Sequence, residues 1–220
     1  MRFDAVLFDF DGTLADTSAG IFESVLYALK KLGKPEPDLQ TLRRFIGPSL
    51  LFGFREFTGL SETEAKDAVA LYRENYSKGG LYNLQFYDGI TELAQSLQNH
   101  GIRTGLASAK PDVFIQRILE HYHVRHLFDA AQGATLEEKH SDKSGIIQSV
   151  LETFGIRDMQ RVLMVGDKCY DIEGAKKVGA VSCGVLFGFG TREELEDAGA
   201  DFIAEDVKAL SGFIFNNRKE

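Results

Sequence analysis

From residue 90 onward the chain repeats one pattern: a short unbroken apolar run, a turn, then an amphipathic helix. The apolar runs cover residues 102–107, 128–131, 162–165 and 181–186, with a short last one at 202–203. Between them Phe114, Ile115, Ile118 and Leu119, then Ile147, Val150, Leu151 and Phe154, recur at helical spacing, and the stretch 172–178 closes on Gly179. An earlier run, residues 3–8, ends in Asp9-Phe10-Asp11-Gly12-Thr13. Continuous rather than alternating hydrophobicity marks strands buried on both faces. Strand–helix–strand repetition then dictates right-handed crossovers and a mostly parallel sheet covered by helices on both faces, an α/β architecture.

Residues 15–85 break that rhythm. Ile21, Phe22, Val25, Leu26 and Leu29 mark a helix from about 18 to 32, which Gly33 and Pro35 stop. No strong strand follows, and Phe45, Phe52, Phe54 and Phe57 form an apolar helical face suited to core packing. The expectation is an α/β core of residues 1–14 and 86–220 with an all-helical domain inserted at 15–85. A chain of 220 residues has room for both.

Charge narrows the partners. Twenty-five Lys and Arg against 33 Asp and Glu give a net charge of −8, which excludes a sequence-blind binder of nucleic acid or anionic membrane. Two cysteines, Cys169 and Cys183, are too few for a disulfide framework. No apolar run reaches the ~18 residues of a membrane span. The run 5–10 is cut by Asp4, Asp9 and Asp11 and is not a signal peptide. A cytoplasmic monomer or weak homodimer is expected, with no membrane or nucleic-acid partner.

Ligands of open parallel sheets bind at the carboxyl ends of the strands. Just past the apolar runs stand Asp9 and Asp11, then Ser108 and Lys110, then Gly166-Asp167 with Asp171 four further on. Two carboxylates about 4 Å apart repel by roughly 4 kcal/mol at an effective dielectric near 20. Asp9, Asp11 and Asp167 gathered on one rim therefore require a cation. Hard oxygen ligands with no His or Cys beside them select Mg²⁺ over zinc. Asp171 also suits the N-terminus of the helix near 172, whereas Asp9, at the end of a buried strand, needs a partner. Lys143 stands at the start of a helix read over 146–154, where a cation opposes the macrodipole by ~0.3–1 kcal/mol. Beside an acid cluster that binds phosphate, it reads as a counter-ion.

These residues resemble a known family. Asp9-Phe10-Asp11-Gly12-Thr13-Leu14, Ser108, Lys143 and Gly166-Asp167-Lys168-Cys169-Tyr170-Asp171 resemble, in order, the four signature motifs of the haloacid dehalogenase-like superfamily. Phe45-Ile46-Gly47-Pro48-Ser49-Leu50 and Gly188-Phe189-Gly190-Thr191 add a resemblance to its phosphoglycolate phosphatase-like branch, which includes small bacterial nucleotide and pyrophosphate phosphatases. The resemblance implies a Rossmann-like core with a helical cap. It further implies a Mg²⁺-dependent phosphatase of small phosphorylated metabolites: phosphoglycolate, a nucleoside monophosphate or pyrophosphate. Asp9 would be the nucleophile that becomes an aspartyl phosphate. Asp11 would protonate the leaving oxygen and later deprotonate the attacking water. Ser108 would hydrogen-bond the phosphoryl group, and Lys143 would neutralise it and steady Asp9. The Asp9 carboxylate, the Asp11 main-chain carbonyl and Asp167 would hold Mg²⁺, with Asp171 outside the ligand set. Lys110, close behind Ser108 on the rim, is expected to touch substrate.

Other readings fit less well. Dehalogenases of the family lack an acid where Asp11 stands, and its sugar-phosphate phosphomutases usually carry Val where Thr13 stands. A phospho-aspartate receiver module would be about half this length as a single domain. Cys169 reads as a free thiol rather than a nucleophile. Arg43 and Arg44 read as a solvated helix face more than as anion ligands.

Overall fold

The computed structural model describes residues 3–135 and 143–216. The chain divides into two compact units, one running to Ala15 and again from Phe86, the other spanning Asp16–Gln85.

The larger unit is built on strand β1 (Ala5–Phe8), buried along its whole length. The chain leaves it through the two-residue strand β2 (Ala15–Asp16) and returns through β3 (Gln85–Phe86). Five strands follow: β4 (Arg103–Pro111), β5 (Ala130–Ala134), β6 (Val162–Gly166), β7 (Val181–Val185) and β8 (Phe202–Ala204). With β1 they form a six-stranded sheet in the order β5-β4-β1-β6-β7-β8, and every pairing is parallel. The α/β class expected from the apolar runs is the one observed. In β1, Phe8 is level with Leu106 of β4 and Val165 of β6. Residues just past these three points therefore meet at one carboxyl edge of the sheet.

The smaller unit is helical. It holds α1 (Ser18–Lys31), α2 (Leu39–Arg43), α3 (Leu50–Thr58) and α4 (Glu62–Lys78). Helices α1 and α3 both pack on α4. Ile21, Val25, Ala28 and Leu29 are the buried stripe of α1. Phe45 meets Phe54 edge-on at 5.1 Å between ring centres and both are core, whereas Phe52, expected on the same packed face, is exposed, because it lies on the opposite side of α3 from Phe54's buried stripe. At the start of α4 the Ser61 hydroxyl accepts the Glu64 N–H, and the Glu64 carboxylate accepts the Ser61 N–H, a reciprocal capping box.

Among the described residues, six helices complete the larger unit: α5 (Ile90–Asn99), α6 (Asp112–His121), α7 (Lys143–Phe154), α8 (Cys169–Val178), α9 (Arg192–Asp197) and α10 (Val207–Asn216). Helices α7 and α8 lie side by side on one face, where Ile147, Val150, Leu151 and Ala175 pack against Leu7, Ala107 and Met164 of the sheet. Each large apolar side chain buried there is worth roughly 1.5–3 kcal/mol. Helices α5 and α10 pack together and against β4 and β8 respectively. Three details differ from the sequence reading. The strand read at 128–131 lies at Ala130–Ala134. Strand β4 runs on to Pro111, so Lys110 sits on the strand rather than past it. Helix α7 begins at Lys143, which is buried in its first turn. Ser141 and Asp142, read as leading into this helix, lie outside the described residues.

Candidate active site

Asp9 follows directly on β1, and its N–H donates to the Val165 carbonyl of β6 at 2.9 Å. The chain then turns sharply. The N–H groups of Leu14 and Ala15 both donate to the Phe10 carbonyl, at 3.0 and 3.1 Å. Gly12 makes the turn at φ +79°, and a Cβ there would run into the Asp167 carboxylate. Only glycine meets both demands, backbone and space.

Asp167 comes from the end of β6 and is fully buried. One of its oxygens accepts the Phe189 N–H at 2.8 Å. The other, Oδ1, has no hydrogen-bond partner among the described residues. Asp171 lies in the first turn of α8, where one oxygen accepts the Lys168 N–H at 3.1 Å and the other meets Lys143 Nζ at 2.6 Å. Lys143 Nζ also meets Asp9 Oδ1 at 2.6 Å. Carboxylate oxygens of Asp9, Asp167 and Asp171 all lie within 4.8 Å of one another.

The electrostatics follow from that crowding. Burial, and then the charges of Asp171 and Asp9, push the Asp167 carboxyl well above its usual range. Burial and Asp9 raise Asp171 to about 6 against the pull of Lys143. Burial draws the Lys143 ammonium down, but Asp171 and Asp9 outweigh it and hold the group above the ordinary lysine range. Three buried carboxylates thus face one buried lysine, and one oxygen is orphaned. A buried acid in that position favours an added positive charge. The donors are all hard oxygens, with no imidazole or thiolate among them, and they fit a small divalent cation.

The structure brings Asp9, Lys143, Asp167 and Asp171 together and gives the Asp11 carboxylate a different neighbour. Lys110 Nζ lies 2.8 and 3.0 Å from its two oxygens. Lys110, expected to touch substrate from the rim, pairs with this acid. Ser108 is buried beside it and accepts the Lys110 N–H on Oγ at 3.2 Å. Both oxygens of Asp171 are held by protein groups, the Lys168 N–H and the Lys143 ammonium. Arg44 stacks on the Phe57 ring at 4.0 Å, a packing role inside the helical unit. The Cys169 thiol is pushed up to about 11 by burial and by Glu194, which makes it a poor nucleophile at neutral pH. Sequence reasoning missed the Phe189 N–H on Asp167. The signal was the glycine pair around it, since a Cβ on Gly188 would strike the Gly12 carbonyl and one on Gly190 the Asp167 carbonyl.

A sequence profile described as haloacid dehalogenase-like hydrolase matches residues 6–185. The chain belongs to the haloacid dehalogenase-like hydrolase family. This hydrolase is 38% identical to a 5'-nucleotidase of Pseudomonas aeruginosa over 210 residues, 96% of this chain and 95% of that protein. It is 31% identical over 192 residues to the tyrosine-protein kinase PtkA of Mycobacterium tuberculosis, covering 87% of this chain and 65% of the kinase. Phosphoglycolate phosphatases such as that of Aliivibrio fischeri are 25% identical over 213 residues, 93% of each chain. Among solved structures, a haloacid dehalogenase-like hydrolase from Streptococcus pneumoniae superposes with a TM-score of 0.88 at 31% identity, covering 96% of this chain and 99% of that one. The expected enzyme class, a phosphoric monoester hydrolase, is the class of the relatives named as nucleotidase and phosphoglycolate phosphatase.

Proposed function

We propose that this hydrolase is a Mg²⁺-dependent phosphatase of small phosphorylated metabolites, working through an aspartyl phosphate on Asp9. The observation that carries the reading is the placement of Asp9. It sits at the end of the central strand, held through one oxygen by a buried lysine, beside an acid with an unpartnered buried oxygen. Phosphate monoesters are among the slowest bonds to hydrolyse, with enzymes supplying up to ~10²¹-fold. A covalent intermediate splits that barrier in two. The second oxygen of Asp9 attacks phosphorus while the leaving oxygen takes a proton from Asp11. Water then attacks the phosphorylated Asp9 and gives its proton back to Asp11. Lys143 offsets negative charge on Asp9 and the phosphoryl group, and the Ser108 hydroxyl hydrogen-bonds a phosphoryl oxygen. Asp9, Asp167 and the main-chain carbonyl of Asp11 would hold Mg²⁺, which when bound offsets the repulsion between the attacking carboxylate and the phosphoryl dianion.

Nucleoside 5'-monophosphates come first among substrates, because the relative that matches this chain at 38% identity along nearly its whole length is named a 5'-nucleotidase. Phosphoglycolate and pyrophosphate follow. Phosphate release from a panel of these compounds with Mg²⁺ tests the reading. Turnover should vanish on chelation and in Asp9→Asn. An active Asp9→Asn variant would refute the nucleophile assignment, and phosphoryl transfer to a hydroxyl acceptor without free phosphate would make the enzyme a transferase.

A further inference from the structure

The two buried lysines of the site divide between its two working aspartates. Lys143 of α7 takes Asp9, and Lys110 of β4 takes Asp11. The second pairing has a particular shape. Lys110 Nζ is nearly equidistant from both oxygens of Asp11, at 2.8 and 3.0 Å, so it restrains rotation of the carboxylate as well as its swing. The Lys110 side chain is 4% exposed and that of Asp11 21%, so the ammonium lies on the protein side of the pair and the carboxylate keeps the open edge. The Phe10 ring lies 5.7 Å from the ammonium and seats it further.

We propose that Lys110 is a positioning residue for the proton-transfer carboxylate: it holds the Asp11 side chain in the orientation from which that group takes a proton from the hydrolytic water. The proposal rests on the phosphatase reading and deepens it. In the step concerned, the water oxygen forms a bond to phosphorus and the bond from phosphorus to Asp9 breaks. The water proton passes to Asp11, Asp9 is restored as a carboxylate, and inorganic phosphate departs. Asp11, now protonated, supplies the proton for the next leaving oxygen.

Steady-state and rapid-mixing kinetics of Lys110→Met with 4-nitrophenyl phosphate and Mg²⁺ test this. Loss of an oriented base slows the second half-reaction, and positioned acid–base groups contribute about 10²–10⁴-fold. The expected result is kcat down by about 10- to 100-fold with KM falling in parallel and kcat/KM within about threefold of wild type. Rapid mixing should show a burst of 4-nitrophenolate, and acid-quenched protein should carry one extra phosphoryl group. A substrate ligand gives the opposite pattern: KM rises, kcat/KM falls and no burst appears, which would overturn the proposal. Lys110→Arg keeps the charge and the fold, and should recover kcat at least in part; an Arg variant whose KM rises at unchanged kcat overturns the proposal even if Met does not fold. In an Asp11→Asn background the Lys110→Met change should alter kcat by less than about twofold, because its effect runs through Asp11. Failure of the phosphatase reading looks different, since wild type would then release no 4-nitrophenolate or Asp9→Asn would go on doing so.

Discussion

At Asp167 one carboxylate oxygen holds the Phe189 N–H while the other is buried with no partner among the described residues. Its carboxyl is raised well above the usual range, so the folded state gains stability from it only where it is protonated. That gain is present at low pH and is lost as pH rises through the folded-state value, so without metal the buried group costs the fold stability at neutral pH. Asp167→Asn keeps an oxygen for Phe189 and removes the charge. In chelator at pH 7 the variant should unfold at higher urea than wild type. It should show no phosphatase turnover. An equal or lower urea midpoint would remove the argument for a cation in this cluster. Asp9, Asp11, Ser108, Asp167 and Asp171 could be read from sequence because each follows an apolar run, and the end of a run is where a parallel sheet binds. The partner of Lys110 could not, since a side-chain pair 99 residues apart leaves no trace in spacing. Phe189, which acts through its backbone N–H, left a trace only in the glycines on either side of it.

Helix α4 shows what local sequence signals can and cannot reach. Ser61 and Glu64 form a capping box, and the Glu64 carboxylate also pairs with Lys34. These contacts, the Lys34 ammonium first and then Ser61, hold the Glu64 carboxyl down at about 2. A depressed acid stabilises the fold above its unfolded value near 4.5 and loses that contribution as pH falls toward 2. An NMR titration should place the Glu64 midpoint near 2, and Ser61→Ala should move it upward while costing the helix about 1 kcal/mol in a urea melt. A Glu64 midpoint near 4.5 would show that the box does not form. The longer apolar helices were legible because several residues recur on one stripe. Helix α9 was not, because Leu195 is its one buried side chain and the rest of its sequence is charged. Helix α10 did carry a signal in the spacing of Leu210, Phe213 and Ile214.

For the molecule as a whole, the metal is predicted to be a folding ligand as well as a catalytic one. A cation bound only by the native cluster stabilises by mass action, about 2.7 kcal/mol at a hundred times its dissociation constant. Adding Mg²⁺ to chelator-treated protein should raise the unfolding temperature of the larger unit, and Asp167→Asn should abolish that rise. A melting temperature indifferent to Mg²⁺ in wild type would count against the site. The alternation of apolar runs and helices was enough to read the sheet class, but strand order was not, because β1 is first in sequence and central in space. Its neighbours β4 and β6 begin at Arg103 and Val162. At a synthesis rate of roughly 5–20 residues per second, the strand that delivers the nucleophile waits on the order of ten seconds with one or both hydrogen-bonding edges bare. No amino-terminal fragment ending before β6 can therefore assemble the reacting centre, since Asp167 follows that strand.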